Sequence, residues 1–169
     1  MDRTGTPTLK IGIVRLLEDD SEDREVITRA LLKHGMKDMI DFFFYKSTAD
    51  LNSQMDDDTF VIALDNRIEG EVTTGIDLMR SIRGTIKRPL DIIICSGAFT
   101  PDLYQTVNNY KGYVVIKSIG DDWADNLALT ILRSREHISM LMALEKQIND
   151  IKERDKKLFD ERSRSQRAI

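Results

Sequence analysis

The chain has 169 residues, with 25 Lys+Arg against 29 Asp+Glu, two histidines and one cysteine. One cysteine excludes an internal disulfide framework and a zinc site built from paired CxxC motifs, and no stretch nears the roughly 18 apolar residues that a membrane-spanning helix needs. A formal net charge of −4 gives no footing for nucleic acid, and the polar opening MDRTGTPTLK lacks the apolar centre of a signal peptide, so a cytoplasmic protein with no membrane partner is expected.

Apolar runs alternate with helix-period segments along the first 135 residues. Residues 10–17 (KIGIVRLL) read as a buried strand, and residues 23–34 (DREVITRALLKH) as a helix closed by Gly35. Residues 40–45 (IDFFFY) predict a second strand with Phe42, Phe43 and Phe44 as core, and Ser47 or Thr48 can cap a short helix through Gln54. A third strand spans residues 60–64 and ends at Asp65; a helix follows over 75–83, with Ile76, Met79 and Ile82 on one face. Residues 90–95 (LDIIIC) are a fourth strand, Pro101 opens a helix through Asn108, and residues 113–116 (YVVI) are a fifth strand. A last helix starts near Asp121 and meets no Gly or Pro up to the end of the sequence. Strands dominated by Val, Ile, Leu and Phe are buried on both faces, which argues for a parallel sheet covered by helices. Right-handed crossovers then give an α/β, doubly wound, five-stranded parallel sheet with an elongated C-terminal helix.

In such a sheet the functional crevice lies outside the carboxyl ends of the strands. Those ends carry Glu18-Asp19-Asp20, Asp65, Ser96-Gly97 and Lys117. Singly, each has a structural use: an acid caps a helix, a serine makes a turn, a lysine solvates a surface. Together they supply several hard carboxylate oxygens, a hydroxyl and an ammonium. Carboxylates without His or Cys suit magnesium, and clustered like charges are costly unless a cation neutralises them. A lysine beside them can grip a phosphoryl group, and an aspartate there can become an aspartyl phosphate.

With these residues in view, residues 9–132 resemble the receiver domain of two-component response regulators. The resemblance rests on the acids of LLEDDSEDR, the aspartate of VIALDNRIEG, the hydroxyl residue of DIIICSGA and the lysine of YVVIKS. It implies the flavodoxin-like receiver fold and a phosphoacceptor role for Asp65, with a histidine kinase or phosphotransfer protein as donor. It implies Glu18, Asp19 and Asp65 as Mg2+ ligands with the backbone carbonyl of Arg67, Ser96 as the switch hydroxyl and Lys117 as the phosphoryl contact. Asp20 falls just past the acidic pair. Three departures stand out. The 65–75 loop is slightly long and lacks the usual proline, and Ser118 stands where the family usually has proline, so a cis bond there would be costly. Val114 occupies the switch-aromatic position, with Tyr113 one place earlier. Either the fifth strand carries an extra residue, or the aromatic half of the switch is absent.

Residues 136–169 hold 7 acids and 8 bases, with Leu141/Leu144, Ile148/Ile151 and Asp155/Leu158 recurring every seven positions. This is a short coiled-coil seam with one polar intrusion, expected to form a homodimer, and its ending carries no stop before an output domain. The expected division is a disordered 1–8, a receiver domain 9–135 and a helical coiled-coil extension or linker over 136–169. The function expected is a phosphoacceptor, not an enzyme beyond its own phosphorylation and dephosphorylation. The alternative is a pseudo-receiver acting as an interaction module without phosphate. A phosphohydrolase would usually carry an acid/base aspartate two residues after the nucleophile, and here that residue is Arg67. Cys95 reads as a buried small hydrophobe, His34 as a helix-end cation and Trp123 as the packing residue of the last helix.

Overall fold

A computed structural model describes residues 12–167, with side chains through Phe159. The expected disordered segment 1–8, and the residues Lys10 and Ile11 assigned to the first strand, lie outside the described residues. The elements are β1 (Ile13–Leu17), α1 (Ser21–Lys33), β2 (Asp41–Tyr45), α2 (Thr48–Ser53), β3 (Thr59–Asp65), α3 (Gly75–Thr85), β4 (Asp91–Ser96), α4 (Pro101–Asn109), β5 (Tyr113–Ile116) and α5 (Asp122–Arg167), with a 3-10 turn at Met36–Asp38. All four strand pairings are parallel and the sheet order is β2-β1-β3-β4-β5. The chain steps from β1 outward to β2, then returns past β1 to β3. The order reverses at β1, and the crevice beside it opens at the carboxyl ends of β1 and β3.

Alternating side chains divide the core between the two faces of the sheet. Val14, Leu16, Val61, Ala63, Ile93, Cys95 and Val115 pack against Ile27 and Leu31 of α1 and Trp123, Leu127 and Ile131 of α5. Leu17, Ile62, Leu64, Ile92 and Ile94 meet Leu51, Leu78, Met79, Ile82, Leu103 and Val107 of α2, α3 and α4. Strands β3 and β4 are buried almost throughout, as apolar runs in the middle of a parallel sheet should be. Strand β2 is an edge strand, and there the expectation of an all-core aromatic run is corrected. Phe42 and Phe44 pack against the α1/α5 side, but Phe43 points to the other face and stays 47% exposed. The Arg15 guanidinium lies 5.8 Å from the centre of its ring.

Helix ends follow the local chemistry. Asp20 caps α1, accepting the Glu22 N–H at 2.7 Å and the Asp23 N–H at 3.3 Å, so that helix starts two residues before the predicted Asp23. Ser47 caps α2, and Thr74 forms a capping box with Asp77 on α3. Thr100 caps α4 with Pro101 in its first turn. Helix α5 has 46 residues, about 70 Å at 1.5 Å per residue. Ile138 is its last buried side chain and Leu141 is partly buried; from Met142 to Phe159 every side chain is exposed.

Candidate functional site

Each strand end delivers one part of the site. Strand β1 ends at Leu17, so Glu18 follows directly and is itself buried, 2% exposed. Strand β3 ends in Asp65, in register with Cys95 of β4, which puts Ser96 one step further out on the neighbouring strand. Lys117 follows β5, and its backbone N–H donates to the Ser96 carbonyl at 2.8 Å. Glu18, Asp19 and Asp65 each offer a carboxylate oxygen, and the three lie within 4.8 Å of one another. Beside Asp65 opens a cleft of about 550 Å3, lined also by Asn66, Arg67, Ser96, Gly97 and Ala98, with α4 on its far side.

The Lys117 ammonium ties the site together. Its Nζ donates to Glu18 Oε2 at 2.6 Å and to Asp23 Oδ2 at 2.8 Å, and lies 3.4 Å from Asp65 Oδ2. The same ammonium sits 5.3 Å from the centre of the Trp123 ring. Burial opposes the lysine's charge, but Asp23 and Glu18 outweigh it and hold the ammonium above the ordinary lysine range. Burial lifts Glu18 from 4.5 to about 7, a rise that the Lys117 contact reduces and that the neighbouring Asp65 and Asp23 charges reinforce. Asp65 is also raised by burial, against the pull of Lys117 and of the backbone N–H of Arg67. This donor set is all oxygen, compact and too rich in negative charge for one lysine to neutralise. That is the chemistry a hard divalent cation such as Mg2+ fits.

The remaining predicted residues are placed as follows. Asp19 Oδ2 accepts the Glu69 N–H at 2.9 Å, which anchors the long loop after β3 to the site. Asp20 is spent on its helix cap. The Ser96 hydroxyl lies at the cleft but closes on its own turn, donating to the Ala98 carbonyl at 3.0 Å. The β4·β5 ladder runs in unbroken register, so β5 carries no extra residue. Val114, three residues before Lys117, packs on the α3/α4 side, while Tyr113 alternates to the opposite face and is exposed. Every peptide bond between described residues is trans, the Lys117–Ser118 bond included. Cys95 is buried and its thiol is pushed up by that burial, as a core residue's should be. His34 ends α1 facing Asp125 at 3.0 Å, and His137 reaches Asp91 at 3.2 Å, at the amino end of β4, opposite the end that carries Ser96.

Two participants were not read from the sequence. Asp23 was assigned to the start of a helix, and only folding shows that the first turn of α1 carries its carboxylate to Lys117. The signal available was an acid in the turn after the acidic triplet, indistinguishable from one that favours the helix dipole. Glu71, in the long loop, accepts the Thr48 N–H at 2.9 Å and so fastens that loop to the start of α2.

No family model and no curated protein matches this chain. Solved structures do. The signal receiver domain of a Luxo repressor protein from Vibrio parahaemolyticus superposes with a TM-score of 0.68 at 18% identity, covering 81% of this chain and 98% of its own. The phosphorylated cyanobacterial phytochrome response regulator RcpA gives 0.57 at 17% identity, over 71% of this chain and 90% of its own. A fusion carrying a trimeric coiled coil of yeast Spc42 gives 0.52 at 18% identity, over 85% and 95%. The architecture is thus the flavodoxin-like one of response-regulator receiver domains, extended by one long helix. No helix among the described residues is long and apolar enough to cross a membrane.

Proposed function

We propose that this protein is the phosphoacceptor of a two-component relay. A carboxylate oxygen of Asp65 forms the new bond to phosphorus as the bond between phosphorus and the donor imidazole nitrogen breaks. The imidazole of a histidine kinase or phosphotransfer protein leaves with the electron pair. The observation that carries this reading is the strand-end cluster itself: Asp65 sits with Glu18 and Asp19 within 4.8 Å and with the Lys117 ammonium at 3.4 Å. Glu18, Asp19, Asp65 and the Arg67 carbonyl would hold Mg2+, which when bound neutralises the charge that builds on the phosphoryl oxygens. Lys117 would contact the phosphoryl group from the β5 side, and Ser96 would turn from its Ala98 contact toward it. The chain is then a regulatory protein of the cytoplasm that catalyses only its own phosphorylation and dephosphorylation.

The output in this reading is the α5 extension. A body through about residue 135 carries the site, and residues 136–169 carry a seam for a second copy. Leu144, Ile148, Ile151 and Leu158 are each about half exposed on the single chain, a surface a parallel partner helix would cover. One observation favours the competing reading, an interaction module that does not use phosphate: Val114 leaves the aromatic half of the switch without a residue. The two part on one experiment. Incubation with a small phosphodonor and Mg2+ is expected to label the wild-type chain and not Asp65→Asn; label retained by Asp65→Asn would overturn the site, and an unlabelled wild type would favour the interaction module.

A further inference from the structure

Asp23 has no part in the phosphoacceptor chemistry above, yet it makes one of the two shortest contacts to the Lys117 ammonium. An ammonium has three hydrogens to give. Here one goes to Glu18 at 2.6 Å and one to Asp23 at 2.8 Å, while Asp65 stands at 3.4 Å. Glu18 belongs to the carboxylate cluster and would leave the lysine when it binds a cation. Asp23 does not belong to that cluster. Its place in the first turn of α1 is set by the Asp20 cap, which accepts the Asp23 N–H at 3.3 Å. Its contact with the lysine therefore uses none of the three clustered carboxylates.

We propose that Asp23 is a positioning residue that restrains Lys117. It shares the ammonium with Glu18 and keeps it from closing on Asp65, which leaves Asp19 and Asp65 open to a divalent cation. It also withholds part of the lysine's charge from a phosphoryl group on Asp65, which slows that group's arrival. The two effects have opposite signs. Without the Asp23 charge the ammonium settles onto Glu18 and Asp65, so it competes with the cation. Once the cation is saturating, the freed ammonium serves the phosphoryl group. The cation half stands on the geometry alone; the phosphoryl half rests on the proposed function.

The test compares wild type, Asp23→Asn and Asp23→Glu, after circular dichroism and thermal unfolding establish that each is folded. Calorimetric titration with Mg2+ is expected to show affinity about three- to tenfold weaker in Asp23→Asn, the scale of losing one nearby charge in a partly solvated site. Labelling by a small phosphodonor at saturating Mg2+ is expected to be several-fold faster in the same variant. Asp23→Glu, which keeps the charge, should return both toward wild type. Trp123 is the single tryptophan and lies against the ammonium, so its emission in metal-free Asp23→Asn should shift as the lysine moves. Unchanged Mg2+ affinity, or affinity and labelling rate falling together, would overturn the proposal. If the wild type binds Mg2+ but takes no label, the phosphoacceptor reading fails, and the Mg2+ titration and Trp123 emission still decide the role of Asp23.

Discussion

Glu18 makes the metal-free protein less stable as the pH rises, and the size of the effect can be worked out. Its carboxyl titrates near 4.5 when unfolded and near 7 in the fold. Between those values the folded state holds the proton more tightly, so the folded chain binds more protons and stability falls as pH rises. The full difference is about 3 kcal/mol, present as a penalty above about pH 7 and absent below 4.5. From pH 5.5 to pH 8 the portion lost is about 2 kcal/mol. Asp65, also raised, adds in the same direction. The lowered carboxyls, Asp56, Asp77 and Asp125, titrate below this window and contribute little within it. Urea unfolding in chelator at the two pH values should therefore show the loss in wild type and a much smaller one in Glu18→Gln. Saturating Mg2+ should flatten the wild-type dependence, because a bound cation keeps the carboxylate ionised. A wild-type slope equal to that of Glu18→Gln would refute the reasoning, as would stability that rises over this range.

The local geometry and the seam make further claims. A Cβ on Gly75 would lie 2.6 Å from the Asp65 carbonyl oxygen, so Gly75→Ala should cost about 1–3 kcal/mol in urea unfolding and weaken Mg2+ binding by shifting the end of β3. Asp20→Ala removes the cap of α1 and should cost about 1 kcal/mol; no loss would mean that the cap is not formed. Asp155 is the charged residue in the Leu141-to-Leu158 seam, where a parallel dimer would set two carboxylates face to face. Asp155→Leu should tighten dimerisation by about 2 kcal/mol, read by sedimentation velocity, and unchanged association would place the interface elsewhere.

What the sequence revealed depended on whether backbone or long-range geometry decided the matter. The apolar runs of β3 and β4 announce a buried parallel sheet, and because parallel strands end on one side, Glu18, Asp19, Asp65, Ser96 and Lys117 group together from the sequence alone. Phe43 was misjudged because an aromatic run on an edge strand has one face with little to pack against. The contact of Asp23 with Lys117 is not legible because residues 94 apart meet there, and a first-turn acid looks the same whether or not a lysine waits opposite. The choice between an extra residue in β5 and a missing aromatic needed the ladder register, which only pairing with β4 fixes. The seam in α5 was visible as a heptad, while the point where burial stops, after Ile138, depends on how far the body reaches along the helix.

The central claim is that Asp65 accepts a phosphoryl group, and chemical mapping tests it most directly. Wild-type protein treated with a small phosphodonor and Mg2+ is reduced with borohydride, which converts an acyl phosphate of aspartate to homoserine, and its peptides are sequenced by mass spectrometry. Homoserine is expected at position 65. Homoserine at Asp19, Asp20 or Asp23 instead, or at no position in a protein that binds Mg2+, would contradict it.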